Sequence, residues 1–295
     1  MLLPLAGGVQ AAEKFKPFVL GSKGAGDFDA KVAATKTALT AAGFEIIGDY
    51  SPYSGTFVDN TRVIIVTNDE LKQIAAMSDK GGYAAGQRVS ISEAGDTIEV
   101  AFVNPVYINY PYRLEGDLKT VYDALVESLG NVRSCGASGK KMTAKKLAKY
   151  NYMPTMQKFD DPSELGEFAS HAEAVAAVEN GLAVPGDALE QVYRIDIPGK
   201  EQAVFGVGMI MTSEDEEDLD SAFQMSIVDF EGCKKSAYFP YEVLVNGNEV
   251  EALHMRFRMA VHFPNLSMMG AHGFTKLMSS PGATEDALES VAGQP

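Results

Sequence analysis

The chain reads as an α+β protein made of two tandem copies of a two-layer α/β sandwich, each a mainly antiparallel sheet with helices on one face. Three observations predict it. The stretch EAGDTIEVAFVNPVYINYP (93–111) is matched by VNGNEVEALHMRFRMAVHFP (245–264), each a turn, a long apolar run and an aromatic-Pro ending. Upstream, RVIIVTNDELKQIAAMSD (62–79) is matched by VGMIMTSEDEEDLDSAFQMS (207–226), an apolar strand, then Thr with acids, then helical periodicity. Flanking helices also match: DFDAKVAATKTALTAAGF (27–44) with SHAEAVAAVENGLAVPG (170–186), and GDLKTVYDALVESLG (116–130) with PGATEDALESVAG (281–293). Self-similarity of this kind marks duplicated units.

Taken in order, residues 1–14 are small and apolar, and Val9-Gln10-Ala11 fits a small-x-Ala cleavage pattern. The segment is either the tail of a secretory signal or an apolar arm, and the first reading implies a periplasmic or otherwise exported protein. Copy one, 15–130, should place helices over 28–42, 69–78 and 116–129 from apolar residues three and four apart. Its strands should cover 44–50, 57–66, 87–93 and 97–110. Thr67 or Asn68, and in the second copy Thr212 or Ser213, stand where N-caps belong, with acids in the first turn. Gly95 and Gly247 sit where a hairpin wants positive φ.

Residues 131–167 read as a basic connector carrying Arg133, Lys140, Lys141, Lys145, Lys146 and Lys149, with a short helix over 143–152. It is either a solvated linker or a docking surface for an acidic partner. SCGASGKKM (134–142) fails as a phosphate loop, because Ser134 stands at the first Gly and Lys141 where Ser or Thr should hold magnesium. Copy two, 168–295, repeats the plan.

The pattern GDFDAKVAATKTALTAAGFEII (26–47), with the strand–helix segment and the VNP strand after it, resembles the bacterial α+β family known as domain of unknown function 302. The likeness spans most of 20–130. It implies a two-layer fold and supplies no catalytic residues.

Forty acids against twenty-five bases give a formal charge of −15, which repels nucleic acid and anionic membranes. No run reaches the ~20 apolar residues of a membrane span. Cys135 and Cys233 match no metal or redox spacing, and either form one long-range disulfide or stay as two thiols.

Candidate site residues concentrate in 254–274, which holds three of the four histidines. Read as a strand, 253–263 puts Met255, Phe257, Met259, Val261 and Phe263 on the core face and His254, Arg256, Arg258 and His262 on the other. Over eight residues at ~3.3 Å each, His254 and His262 lie about 26 Å apart and cannot share an ion. The cationic stripe has two readings. It pairs with nearby acids such as Glu249 and Glu251 or with the other domain, or it cradles a small anion through Arg256, Arg258, His254 and Tyr193, with Arg194 and Lys200 beside them. A second cluster, His262, Met268, Met269 and His272 after the turn at Pro264, offers imidazole and thioether to copper or haem iron. CxxCH is absent, so covalent c-type haem is excluded.

SEDEEDLD (213–220) lacks calcium-loop spacing and reads as a solvated loop and helix start. Tyr107, Tyr110 and Tyr112, with Tyr50 and Tyr53, either line a small-molecule groove or cap the core. No GxSxG elbow occurs, and no motif assigns a catalytic residue. The expectation is an exported, two-domain binding or accessory protein, monomeric or a homodimer, for a small anionic ligand or a protein partner. Its site lies in or beside the second copy. The alternative is a copper- or haem-binding redox component.

Overall fold

The duplication is written in the order of the strands. The computed structural model describes residues 13–55, 57–140, 142–184, 188–209 and 214–293. The first unit runs β1 (Phe18–Gly24), α1 (Phe28–Ala41), β2 (Glu45–Tyr50), β3 (Asn60–Thr67), α2 (Asp69–Met77), β4 (Gln87–Ala94), β5 (Thr97–Val103), α3 (Pro105–Asn109) and α4 (Lys119–Leu129). The connector contributes β6 (Arg133–Cys135) and α5 (Ala144–Leu147). The second unit runs β7 (Ser163–Glu167), α6 (His171–Leu182), β8 (Leu189–Asp196), β9 (Gln202–Met209), α7 (Ser221–Val228), β10 (Tyr241–Asn246), β11 (Glu249–Ala252), α8 (Met255–His262) and α9 (Ser280–Val291). The sheets are ordered β2-β3-β4-β5-β1-β6 and β7-β11-β10-β9-β8, and every pairing is antiparallel. Read from β8, the second order repeats the first five strands of the other sheet. Among the described residues, β6 alone of the strands has no counterpart.

Caps and turns explain the local choices. Asp27, Asn68 and Ser170 each accept a hydrogen bond from the backbone N–H three residues on, so α1, α2 and α6 start where the duplicated pattern starts. Of the two N-caps expected in copy one, Asn68 is the one used. Thr212 and Ser213 lie outside the described residues, as do residues 1–12. Gly95 and Gly247 hold φ of 56° and 63° at the β4–β5 and β10–β11 turns, the left-handed region that a two-residue hairpin needs.

Helices α1 and α4 pack on one face of the first sheet, and α6 and α9 on the corresponding face of the second. In α4, Val121, Leu125 and Leu129 bury one stripe at four-residue spacing. The remaining faces meet each other's unit. The 3-10 turn Gly81–Ala84 lies on β9 and β10, and its counterpart Ser236–Tyr238 lies on β3, β4 and β5. Tyr53 and Ser92 hydrogen-bond Ser236 at 2.6 and 3.1 Å, and Gly82 N–H donates to Gln202 at 2.9 Å. The buried apolar residues form one contiguous cluster through both units.

Four expectations need correction. The strand over 97–110 stops at Val103: the Asn104 side chain accepts from the N–H groups of Val106 and Tyr107, and Pro105 occupies the first helical turn, so α3 begins there. The strand over 253–263 is α8, opened by His254, whose ring accepts from Arg256 N–H. The connector is not bare linker, since β6 extends the first sheet and β7 already belongs to the second. Its helix is one turn, capped by Thr143, rather than reaching 152.

Candidate functional site

The helix α8 enters the junction between the units, and its charges are spent there. Arg258 Nε donates to Glu242 on β10 at 3.1 Å, and Arg88 on β4 pairs with the other oxygen of the same carboxylate. Arg258 also donates to the carbonyls of Tyr238 and Pro240, with its guanidinium 4.1 and 4.3 Å from the Tyr238 and Tyr241 ring centres. His262 Nδ1 donates to the Arg258 carbonyl at 2.8 Å, which leaves Nε2 to accept from Arg88 at 3.3 Å. That bonding assigns a neutral tautomer. Burial, then the two guanidinium charges, hold His262 well below the ordinary histidine range.

The residues expected to form an anion cradle therefore have no shared opening. Arg258 is buried and paired with Glu242, not with Glu249 or Glu251. Arg256, two positions away and so on another side of the helix, edges a cavity of about 20 Å³ with Met259, Leu266 and Phe274. His254 is a buried cap, kept below the usual range by burial first. Tyr193 is buried and packs against Gly206, where an added Cβ would stand 2.1 Å from the ring. Arg194 pairs with Glu179 and Asp196, and Lys200 donates to the Ser78 carbonyl.

The His/Met set is spread across unlike environments. His262 is fully buried, Met268 packs partly against the core, and Met269 is 78% exposed. His272 donates to the Ile227 carbonyl at 3.0 Å and stacks on Phe230 at 4.6 Å. The tyrosines cap the core: Tyr107 and Tyr150 donate to the Val261 and Ala260 carbonyls at 2.7 and 2.8 Å, gripping α8.

A different concavity carries unspent charge. A groove of about 540 Å³ runs along β7 and β11, with Glu164, Glu167, Glu249 and Glu251 on its floor, Glu289 of α9 on one rim and Lys80 on another. The pairings Glu249–Glu167 and Glu251–Glu164, with a register shift between them that absorbs the odd spacing of Glu164 and Glu167, put all four floor carboxylates on one sheet face. Glu251 is buried and held by Lys80 at 2.6 Å and Tyr83 at 3.2 Å; burial is the main cause that raises its carboxyl above the usual range. Glu164, Glu249 and Glu289 make no ion pair among the described residues. The sequence reading missed this groove because its acids come from three distant segments. The one local sign in the sequence is the alternating Glu249 and Glu251, a pattern that equally suits pairing with neighbouring arginines.

The cysteines are joined: Cys135 on β6 and Cys233 before the second 3-10 turn form a disulfide with Cα atoms 5.9 Å apart. No helix among the described residues is long and apolar enough to cross a membrane. Among them, too, no group of three or more His, Cys, Asp or Glu side chains is placed to hold a metal ion. No family model, curated protein or solved structure matches the chain.

Proposed function

We propose that this chain is an exported, non-enzymatic binding or accessory protein whose ligand is cationic and sits in the groove of the second unit. The supporting observation is the set of Glu164, Glu249 and Glu289 carboxylates, which face a common recess without counter-ions. Like charges around one recess without counter-ions repel one another, and an extended polycation lying along them relieves that cost. The expected location in the second copy is kept, while the expected sign of the ligand is reversed. Two units locked by a disulfide and a continuous core give such a site a rigid frame. A disulfide also suits an oxidising compartment, which agrees with the apolar N-terminal segment. Likeness to domain of unknown function 302 belongs to this reading as its family proposal.

The test is a thermal-shift and calorimetric comparison of spermine with citrate on the full chain. Spermine should raise the melting temperature and citrate should not. Replacing Glu164, Glu249 and Glu289 by Gln should remove most of the spermine effect. Equal shifts from both probes, or a spermine effect that survives the triple replacement, would refute the assignment. The copper or haem alternative gains no support from the His262 environment, where both ring nitrogens are already bonded.

A further inference from the structure

The two sheets differ at one place. In the first, β1 pairs with β5 on one side and with β6 on the other, in register Phe18–Cys135, Val19–Ser134 and Leu20–Arg133. Its counterpart in the second sheet is β7, which pairs with β11 and, among the described residues, with nothing else. An edge strand presents a row of unpaired N–H and C=O groups, and adding a strand is a recurring way such an edge is used in recognition. The fold thus contains its own example of the missing contact: a three-residue antiparallel strand laid on the equivalent edge.

We infer that the outer edge of β7 receives an extended basic segment of a partner protein, added antiparallel as β6 is added to β1. The inference rests on the groove being a cation site, and it names the partner and the binding mode. Side chains of an added strand alternate, so every second one would lie over the groove floor beside Glu164 and Glu167, both exposed. Lysine or arginine at those positions meets carboxylates that lack counter-ions. The intervening positions fall on the opposite sheet face, the side on which α9 packs against β7. A second copy of this chain is the poorer occupant: two β7 strands side by side would set Glu164 and Glu167 against their own duplicates, a like-charge arrangement that destabilises a sheet pair.

The test uses the full chain, a short alternating Val-Lys peptide, the same peptide N-methylated at alternate amides, and spermine. Hydrogen exchange at the outward-facing amides of residues 164–167, those not already bonded to β11, is read alongside affinity. The plain peptide should bind and slow those amides by about tenfold or more, the N-methylated peptide should bind about tenfold weaker, and Glu164→Lys with Glu167→Lys should abolish binding of both. If the N-methylated peptide binds equally, or the β7 amides stay unprotected, strand addition is wrong while the cation groove stands. If neither peptide nor spermine binds, both readings fall. A peptide-free dimer whose 164–167 amides are already protected would assign the edge to a second copy and overturn the proposal.

Discussion

Arg256 and Arg258 are two residues apart and chemically identical, yet they should behave very differently when truncated. Arg258 shares Glu242 with Arg88 in a site without solvent access. Removing one partner of a buried, hydrogen-bonded ion pair leaves its mates uncompensated, at a cost of about 3–5 kcal/mol. Arg258→Ala should lose that much in urea unfolding, and Arg256→Ala, which edges a small cavity only, under about 1 kcal/mol. His262 adds a pH dependence of definite sign. Its folded pKa lies below its unfolded value of about 6.5, so its contribution is full above that pH. As pH falls below about 6.5 the unfolded chain takes up a proton that the folded chain refuses, and stability drops by up to about 1.4 kcal/mol per pH unit. The buried carboxyl of Glu251 is shifted the other way, and His254 the same way, so wild type must be compared with His262→Gln. The variant should show a shallower loss between pH 6.5 and 5; parallel curves would mean that His262 does not carry the effect. At this scale the sequence picks out the right segment but gives it the wrong conformation and the wrong roles. Which arginine is buried depends on Glu242 and Arg88, neither of which has any local relation to it.

The helices α1, α2 and α4 and the strands β2, β3 and β4 fall within a few residues of their expected spans. The helices and β2 keep an exposed side that shows their period, whereas β3 and β4 are buried on both faces and are marked instead by β-branched residues between turn signals. The failure came at α8. Nearly every one of its residues is buried, Arg258 and His262 included, so no polar stripe advertises the 3.6 period. Alternating Met, Phe and Arg then mimics a strand. As a helix of 1.5 Å rise, the His254–His262 separation is about 12 Å rather than 26 Å, still too far to share an ion. The equivalent error over 104–110 was avoidable, since Asn followed by Pro is a helix-start signal. That cap is itself testable. Asn104 serves two N–H groups and also donates to the Lys16 carbonyl at 2.9 Å. Asn104→Ala should therefore cost about 1–2 kcal/mol, and Asn104→Asp, which keeps the cap and loses the donor, should cost less. Equal losses would place the weight on the Lys16 bond instead.

The duplication was readable from the sequence; the way the copies interlock was not. Each unit pushes a 3-10 turn onto the other's sheet, and these turns follow α2 and α7 in stretches without periodicity. The consequence is one core rather than two. A two-domain protein with a thin interface unfolds in two steps, whereas a contiguous core couples them. The disulfide closes a loop of sequence separation 98 across the same junction, and in the chain-entropy account a loop of that length contributes about 4–5 kcal/mol by restricting the unfolded chain. These two devices make separable predictions. Cys135→Ser with Cys233→Ser should lower stability by about 2–5 kcal/mol yet keep a single transition by both circular dichroism and tyrosine fluorescence, because the interlocking turns remain. Adding Ser236→Leu to that double variant removes the hydroxyl bonded by Tyr53 and Ser92 and crowds the packed turn. Only then should the two probes report different midpoints. If the disulfide-free protein already unfolds in two steps, the bridge rather than the packing holds the units together. The groove beside β7 would then flex with the hinge between them, since Lys80 on its rim belongs to the first unit and the floor carboxylates to the second.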